Sequence, residues 1–126
     1  MAELVFKKES YDIVGAAINV FNELGFGYQE KYYYRGLKNA FIAQGFKVTE
    51  QLLTPLTVGG KPIGRYYLDF LLEKDGTKIV VELKVANEIY PQFIRQVYGY
   101  LKANNLRLGI LIIFSKKGVI TKRIVN

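Results

Sequence analysis

From Arg65 to Val85, apolar and polar residues alternate with period two on either side of Asp75-Gly76. Period two is the signature of strands, and Asp-Gly is favoured in a two-residue type I′ turn, so the stretch predicts a β-hairpin. Counting out from the turn sets the register. Lys74 faces Thr77, Glu73 faces Lys78, Leu71 faces Val80, Asp69 faces Glu82, and Tyr67 faces Lys84. Leu68, Phe70 and Leu72 then share an apolar face with Ile79, Val81, Leu83 and Val85, which must be buried. The other face is mixed, with Leu71 and Val80 near the turn and a polar cluster at the far end.

Elsewhere the period is helical. Ile13, Ala16, Ala17, Val20, Phe21 and Leu24 recur at helix spacing behind Ser10, a favourable N-cap, and Gly25 ends the segment. A second helix is predicted from about Tyr28 to Gln44, with Leu37, Ala40 and Phe41 as its stripe and Gly45 as its stop. Phe46 to Val58 is strand-like, and Pro55 marks an edge or a bulge. Gly59-Gly60 turns into the hairpin. Pro91 suits the first turn of a helix reaching Asn104, with Phe93, Ile94, Val97 and Leu101 inward. Leu108 to Phe114 is an unbroken apolar run, as in a strand buried on both faces, and Val119 to Val125 follows as the last strand. The order is α-α-β-β-β-α-β-β. The helix between the third and fourth strands is a crossover, so the sheet is expected to be mixed. No repeat, linker or low-complexity segment divides residues 1–126, which read as a single domain.

Composition narrows the chemistry. The 126 residues contain no cysteine and no histidine. That removes disulfides, thiolate and imidazole metal ligands, and every Ser-His triad. Any metal would be held by oxygen, which favours Mg²⁺ or Mn²⁺. The formal charge is +7. It suits a polyanionic partner, nucleic acid first, and equally suits simple solubility. No apolar run approaches the roughly 18 residues of a membrane span. Met1-Ala2-Glu3-Leu4 lacks the basic start and apolar core of a signal peptide, so a cytoplasmic protein is expected.

The hairpin register contains one pairing that electrostatics disfavours. Asp69 and Glu82 stand opposite each other, with Cβ atoms roughly 5 Å apart, where like charges repel. A divalent cation between them would relieve the repulsion, and Lys84 lies on the same face. Two carboxylates, with the Leu83 carbonyl, suit a hard cation that polarises a phosphate and acidifies a water. Lys84 would orient that water or stabilise charge developing on the phosphate. Glu30 joins the shell if its helix packs at that end of the sheet, although a carboxylate near a helix start is favourable in any case. Gln96 and Tyr100, four apart, would meet the site from the crossover helix, or would simply flank that helix.

Asp69, then Glu82-Leu83-Lys84, then Gln96-Val97-Tyr98-Gly99-Tyr100 resembles the PD-(D/E)xK nuclease superfamily. Gly27-Tyr28-Gln29-Glu30-Lys31-Tyr32-Tyr33 fits Gly-x-x-Glu-x-x-Tyr and is similar to the GxxExxY family within it. The likeness runs from about Ser10 to Val125. It implies an α/β, restriction-endonuclease-like αβββαβ core, with a mixed sheet flanked by helices, an extra N-terminal helix and a C-terminal β-strand. It also implies Asp69, Glu82 and Glu30 as metal ligands, Lys84 as the catalytic lysine, and Gln96 and Tyr100 as a further motif. Tyr33 enters as a candidate substrate contact through the same Gly-x-x-Glu-x-x-Tyr pattern. Leu68 stands where many members have proline.

Three functions stay open at this stage. One is a Mg²⁺- or Mn²⁺-dependent nuclease, DNA ahead of RNA. The second is a nucleic-acid-binding module of the same fold without hydrolysis, and the third a protein-interaction domain. With so little chain beyond the core, specificity would come from a homodimer or another partner. Tyr32, Tyr33 and Tyr34 stack on bases or pack between helices and sheet. Lys116, Lys117, Lys122 and Arg123 touch phosphates or guard an edge strand.

Overall fold

The structure, a computed structural model, describes residues 5–126; the reading of Met1 to Leu4 lies outside the described residues. Eight elements follow in the expected order: α1 (Lys7–Leu24), α2 (Glu30–Ala43), β1 (Lys47–Val58), β2 (Lys61–Lys74), β3 (Thr77–Val85), α3 (Pro91–Ala103), β4 (Leu108–Ser115) and β5 (Gly118–Val125). The strands form one sheet in the order β1-β2-β3-β4-β5. Among the described residues only β3 and β4, joined through α3, run parallel; the other neighbours are antiparallel. A right-handed crossover is the general rule for such a unit. No helix among the described residues is long and apolar enough to cross a membrane.

The sheet is covered on both faces. On one, Ile13, Ala16 and Ala17 of α1 and Tyr33, Leu37 and Phe41 of α2 pack on Phe70, Val81, Ile110 and Phe114. On the other, Val97 and Leu101 of α3 pack on Val80, Leu111 and Ile113. Strand β4 lies between these layers and is buried along its whole length, which explains its unbroken apolar run. At Gly109 α3 sits close on the sheet: a Cβ there would lie 2.4 Å from Val97 Cγ1.

Two expectations about local structure are corrected. Ser10 does not cap α1, which starts earlier, at Lys7. Ser10 is buried inside the helix and its Oγ donates to the Phe6 carbonyl, while Arg123 of β5 donates to Ser10 Oγ and, at 2.5 Å, to the Val5 carbonyl. Arg123 therefore ties β5 to the start of α1 and is drawn away from any phosphate. The second correction concerns Leu68. It joins the α3-side cluster with Leu52, whereas Phe70 and Leu72 face α1 and α2.

The cause of that switch is local. In the β1–β2 ladder Glu50 pairs with Phe70 and Leu52 with Leu68, but Gln51 and Asp69 between them are unpaired, and Gln51 has φ of 56°. A left-handed residue in one strand rotates the pleat, so side chains that alternation places on one face end on two. The site lies at this irregularity.

Candidate active site

Asp75 and Gly76 both have positive φ, as a type I′ turn requires, and the hairpin register follows as counted: Lys74 pairs with Thr77, Glu73 with Lys78, Leu71 with Val80. The ladder stops at Phe70 and Val81. Beyond it Asp69 and Glu82 do not form the backbone pair that counting predicts, nor do Tyr67 and Lys84. Their strands part, and the acidic side chains fill the gap. Glu82 Oε1 accepts the Asp69 N–H at 3.0 Å, and Asp69 Oδ2 accepts the Leu83 N–H at 2.9 Å. Each carboxylate thus replaces a lost ladder bond of the opposite strand.

The electrostatics follow from this geometry. Glu82 is 2 % exposed. Burial, then the neighbouring Asp69 carboxyl, push its pKa up to about 9, while Lys84 opposes the rise. Lys84 Nζ lies 3.4 Å from Glu82 Oε2 and over the ring of Phe93 on α3, 5.4 Å from its centroid. Those two contacts hold the ammonium beside the acidic pair.

Asp69 also borders a cleft, a concavity of about 510 Å³ between α2 and the sheet. From α2 come Glu30, Lys31, Tyr34, Arg35 and Lys38; from the strands come Glu50, Gln51 and Asp69. Glu30 therefore does reach Asp69's side of the sheet. Partial desolvation and the Asp69 charge raise its pKa, and Lys84 pulls it down.

The donor set fits a hard divalent cation in part. Asp69 and Glu82 each commit one oxygen to a backbone N–H; of the second oxygens, Glu82 Oε2 faces Lys84 at 3.4 Å, and both offer only oxygen chemistry. Yet among the described residues no three acidic side chains gather closely enough to hold one ion. The pair is formed, with the Leu83 backbone beside it, and Glu30 lies across the cleft.

The remaining expected residues divide. Gln96 is half-buried on α3, and its backbone carbonyl accepts the Tyr66 hydroxyl at 3.0 Å; Tyr66 in turn feels the Glu82 charge. Tyr100 packs against the α3-side core, where burial raises its pKa. Among the described residues neither side chain hydrogen-bonds the acidic pair. Tyr33 is a correction. It is fully buried, stacked on Phe114 with ring centroids 4.4 Å apart, and its hydroxyl donates to the Gly25 carbonyl at 2.5 Å. It anchors the α1–α2 connection and cannot meet a substrate.

Its neighbour Tyr34 occupies the cleft instead. The Tyr34 ring stacks on Phe70, and its hydroxyl donates to Glu50 Oε1 at 2.7 Å and accepts from Gln51 Nε2 at 3.2 Å. Burial and the Glu50 charge push the phenol up to about 12, with Gln51 opposing. The available signal was spacing: Tyr34 is four residues from Glu30, and Lys31, Arg35 and Lys38 continue the same face.

Residues 7–124 match the sequence model of the PD-(D/E)XK nuclease superfamily. The chain belongs to that superfamily. Among solved structures it is similar to the crystal structure of SSO0001, with TM-score 0.60 and 18% identity, over 96% of this chain and 60% of that one. The chain thus spans 60% of that relative's length, and the likeness establishes the fold. A crystal structure of an alkaline exonuclease (LHK-Exo) from Laribacter hongkongensis is matched at TM-score 0.48 and 14% identity, over 94% of this chain and 82% of that one. No curated protein matches the chain. In this superfamily member, Asp69, Glu82, Leu83 and Lys84 stand at the strand split in the order of the superfamily's signature.

Proposed function

We propose that the protein is a divalent-metal-dependent nuclease of the GxxExxY branch, hydrolysing phosphodiester bonds, in DNA ahead of RNA. One observation carries the reading: two carboxylates meet at a split between strands, with an ammonium 3.4 Å from the more buried one. A buried carboxylate set against a second, half-buried one with one cation beside them is costly as a structural device, so the arrangement points to chemistry.

Asp69 Oδ1 and Glu82 Oε2 are the atoms that would hold Mg²⁺ or Mn²⁺, and Glu30, across the cleft on α2, would act through water. When bound, such an ion polarises a phosphate and makes a water acidic enough to attack at neutral pH. Lys84, fixed by Glu82 and Phe93, holds its positive charge where the phosphate oxygens become more negative. Lys31 and Arg35 offer the cleft cations for the phosphodiester backbone, while Lys38 is paired with Glu50 at 2.8 Å.

Incubation with single-stranded DNA, duplex DNA and RNA tests the reading, with Mn²⁺, with Mg²⁺ and with EDTA. Cleavage is expected only with metal and only with Glu82 intact. If Glu82→Gln cleaves as well as the wild type, or no substrate is cut, the assignment fails. Nucleic-acid binding without cleavage would leave a binding module of the same fold.

A further inference from the structure

Beyond Phe70, β2 has no β3 partner, and with β1 it continues as a two-stranded arm ending at Gly59-Gly60. The two faces of this arm differ. Leu52, Leu68 and Tyr66 turn toward α3. The opposite face carries the cross-strand pairs Leu53 with Tyr67 and Pro55 with Arg65. It is continuous with Gln51 and Asp69 on the cleft floor, and lies about 7 Å (Tyr67) and about 14 Å (Arg65) along β2 from Asp69.

That face is apolar, exposed and without negative charge. Leu53 is 53% exposed and Tyr67 46%. Residues 52–68 contain Lys61 and Arg65 and no acidic residue. A concavity of about 420 Å³ opens there, lined by Leu53, Pro55, Pro62, Gly64 and Arg65. An exposed aromatic ring beside a shallow apolar seat, flanked by a guanidinium, is the arrangement that binds single-stranded nucleic acid: a ring for a base, a cation for a phosphate. A second copy of the chain would also cover apolar surface, but the positive charge of Arg65 and Lys61, uncompensated within the arm, and the continuity with the cleft favour a polyanion.

We propose that the β1–β2 arm carries a nucleotide subsite beyond the scissile position, with Tyr67 and Leu53 seating an unpaired base and Arg65 holding a phosphate. The inference rests on the nuclease reading of the cleft and specifies its substrate as a strand that is single at this point. The basic face of α2 and the arm would grip it on two sides of Asp69.

Binding without metal separates this proposal from catalysis. Anisotropy of a fluorescein-labelled single-stranded DNA in EDTA is measured for the wild type, Tyr67→Ala, Tyr67→Phe and Arg65→Ala, all changes of exposed side chains. Tyr67→Ala is expected to weaken binding about tenfold, and Tyr67→Phe to retain it, because the ring and not the hydroxyl stacks. Arg65→Ala is expected to reduce the slope of log K against log salt by about one. Wild-type affinity in both alanine variants, or no binding by the wild type, overturns the subsite. So does sedimentation of the wild type as a dimer that Leu53→Glu dissociates without loss of DNA affinity, which assigns the arm to a second copy. Arm-dependent binding with no cleavage in any metal would sink the nuclease reading and leave the subsite standing. Cleavage that is indifferent to Tyr67 and Arg65 does the reverse.

Discussion

Glu82 accepts the backbone N–H of Asp69, and Asp69 accepts the N–H of the residue after Glu82. The two side chains thereby bridge the gap where the β2–β3 ladder ends. The arrangement gives the carboxylates fixed positions through the backbone, so their geometry does not depend on a long flexible side chain finding its place.

The pair should make metal-free stability fall as pH rises. The Glu82 carboxyl has its pKa raised from 4.5 to about 9 in the fold, so the folded state favours the protonated form. Its contribution is complete below about pH 4.5 and is lost progressively as pH climbs toward 9. Thermal midpoints in EDTA between pH 5 and 9 are expected to fall more steeply for the wild type than for Glu82→Gln, which keeps the shape and never ionises. Parallel curves for the two proteins would show that Glu82 does not carry this strain.

Divalent metal should reverse that loss. A ligand bound only by the folded state stabilises it by mass action. At pH 8, Mn²⁺ at about 100 times its dissociation constant is expected to add roughly 2.7 kcal/mol to the wild type. Asp69→Asn, which keeps a side-chain acceptor for the Leu83 N–H but loses the charge, should respond weakly. Equal Mn²⁺ titrations of the two proteins by calorimetry would remove the paired carboxylates from the metal site.

Lys84 is expected to matter for turnover far more than for folding. Its ammonium sits half-buried between Glu82 and Phe93. Lys84→Met retains the apolar stem over Phe93 and removes the charge. Cleavage should fall by about 10²- to 10³-fold, the usual loss when one preorganised electrostatic donor is removed. Metal-free DNA affinity should change little, since Lys31 and Arg35 still supply cations in the cleft, which Lys84 does not line. A large loss of affinity with unchanged single-turnover rate would make Lys84 a binding residue.

Much of this was legible in the chain because the Asp75-Gly76 turn permits one register, and that register holds from Lys74–Thr77 to Phe70–Val81. The order of elements and the parallel crossover were legible for a similar reason: each strand and helix carries its own period. The rotation at Asp69 was not. Leu68, Phe70 and Leu72 alternate as if they shared a face, and the residue that breaks the pleat is Gln51, where no glycine advertises a positive φ. Spacing does not separate Tyr33 from Tyr34, since both lie about one turn from Glu30. A lean of one residue around α2 decides which ring meets Phe114 in the core and which meets Phe70 beside the cleft. Local sequence presents Ser10 as a cap, because the partner that fixes it within α1, Arg123, is far away in sequence.

The structural role of Tyr33 has a direct consequence. Tyr33→Phe keeps the stack on Phe114 and removes only the hydrogen bond to the Gly25 carbonyl. A stability loss of about 1 kcal/mol is expected from denaturant unfolding, with cleavage and DNA affinity unchanged. A Tyr33→Phe protein of native stability and impaired cleavage would return this hydroxyl to the substrate.

Gly109 tests how closely α3 must sit on the sheet. A methyl group added there would meet Val97 Cγ1 at 2.4 Å, with Leu101 Cδ1 at 3.5 Å and the Val80 carbonyl at 3.6 Å leaving little room to retreat. Val97 is branched at Cβ and fully buried, so it cannot swing aside as a long side chain would. Gly109→Ala should therefore cost about 1–3 kcal/mol through overpacking. Relief requires α3 to shift outward, and α3 carries Phe93 under Lys84 and Gln96 beside Tyr66. Cleavage should then fall even at temperatures where the variant is fully folded. The double variant Gly109→Ala with Val97→Ala makes space for the new methyl and should recover part of both losses. If stability returns while cleavage stays low, the position of α3 over Lys84 is not what limits the reaction.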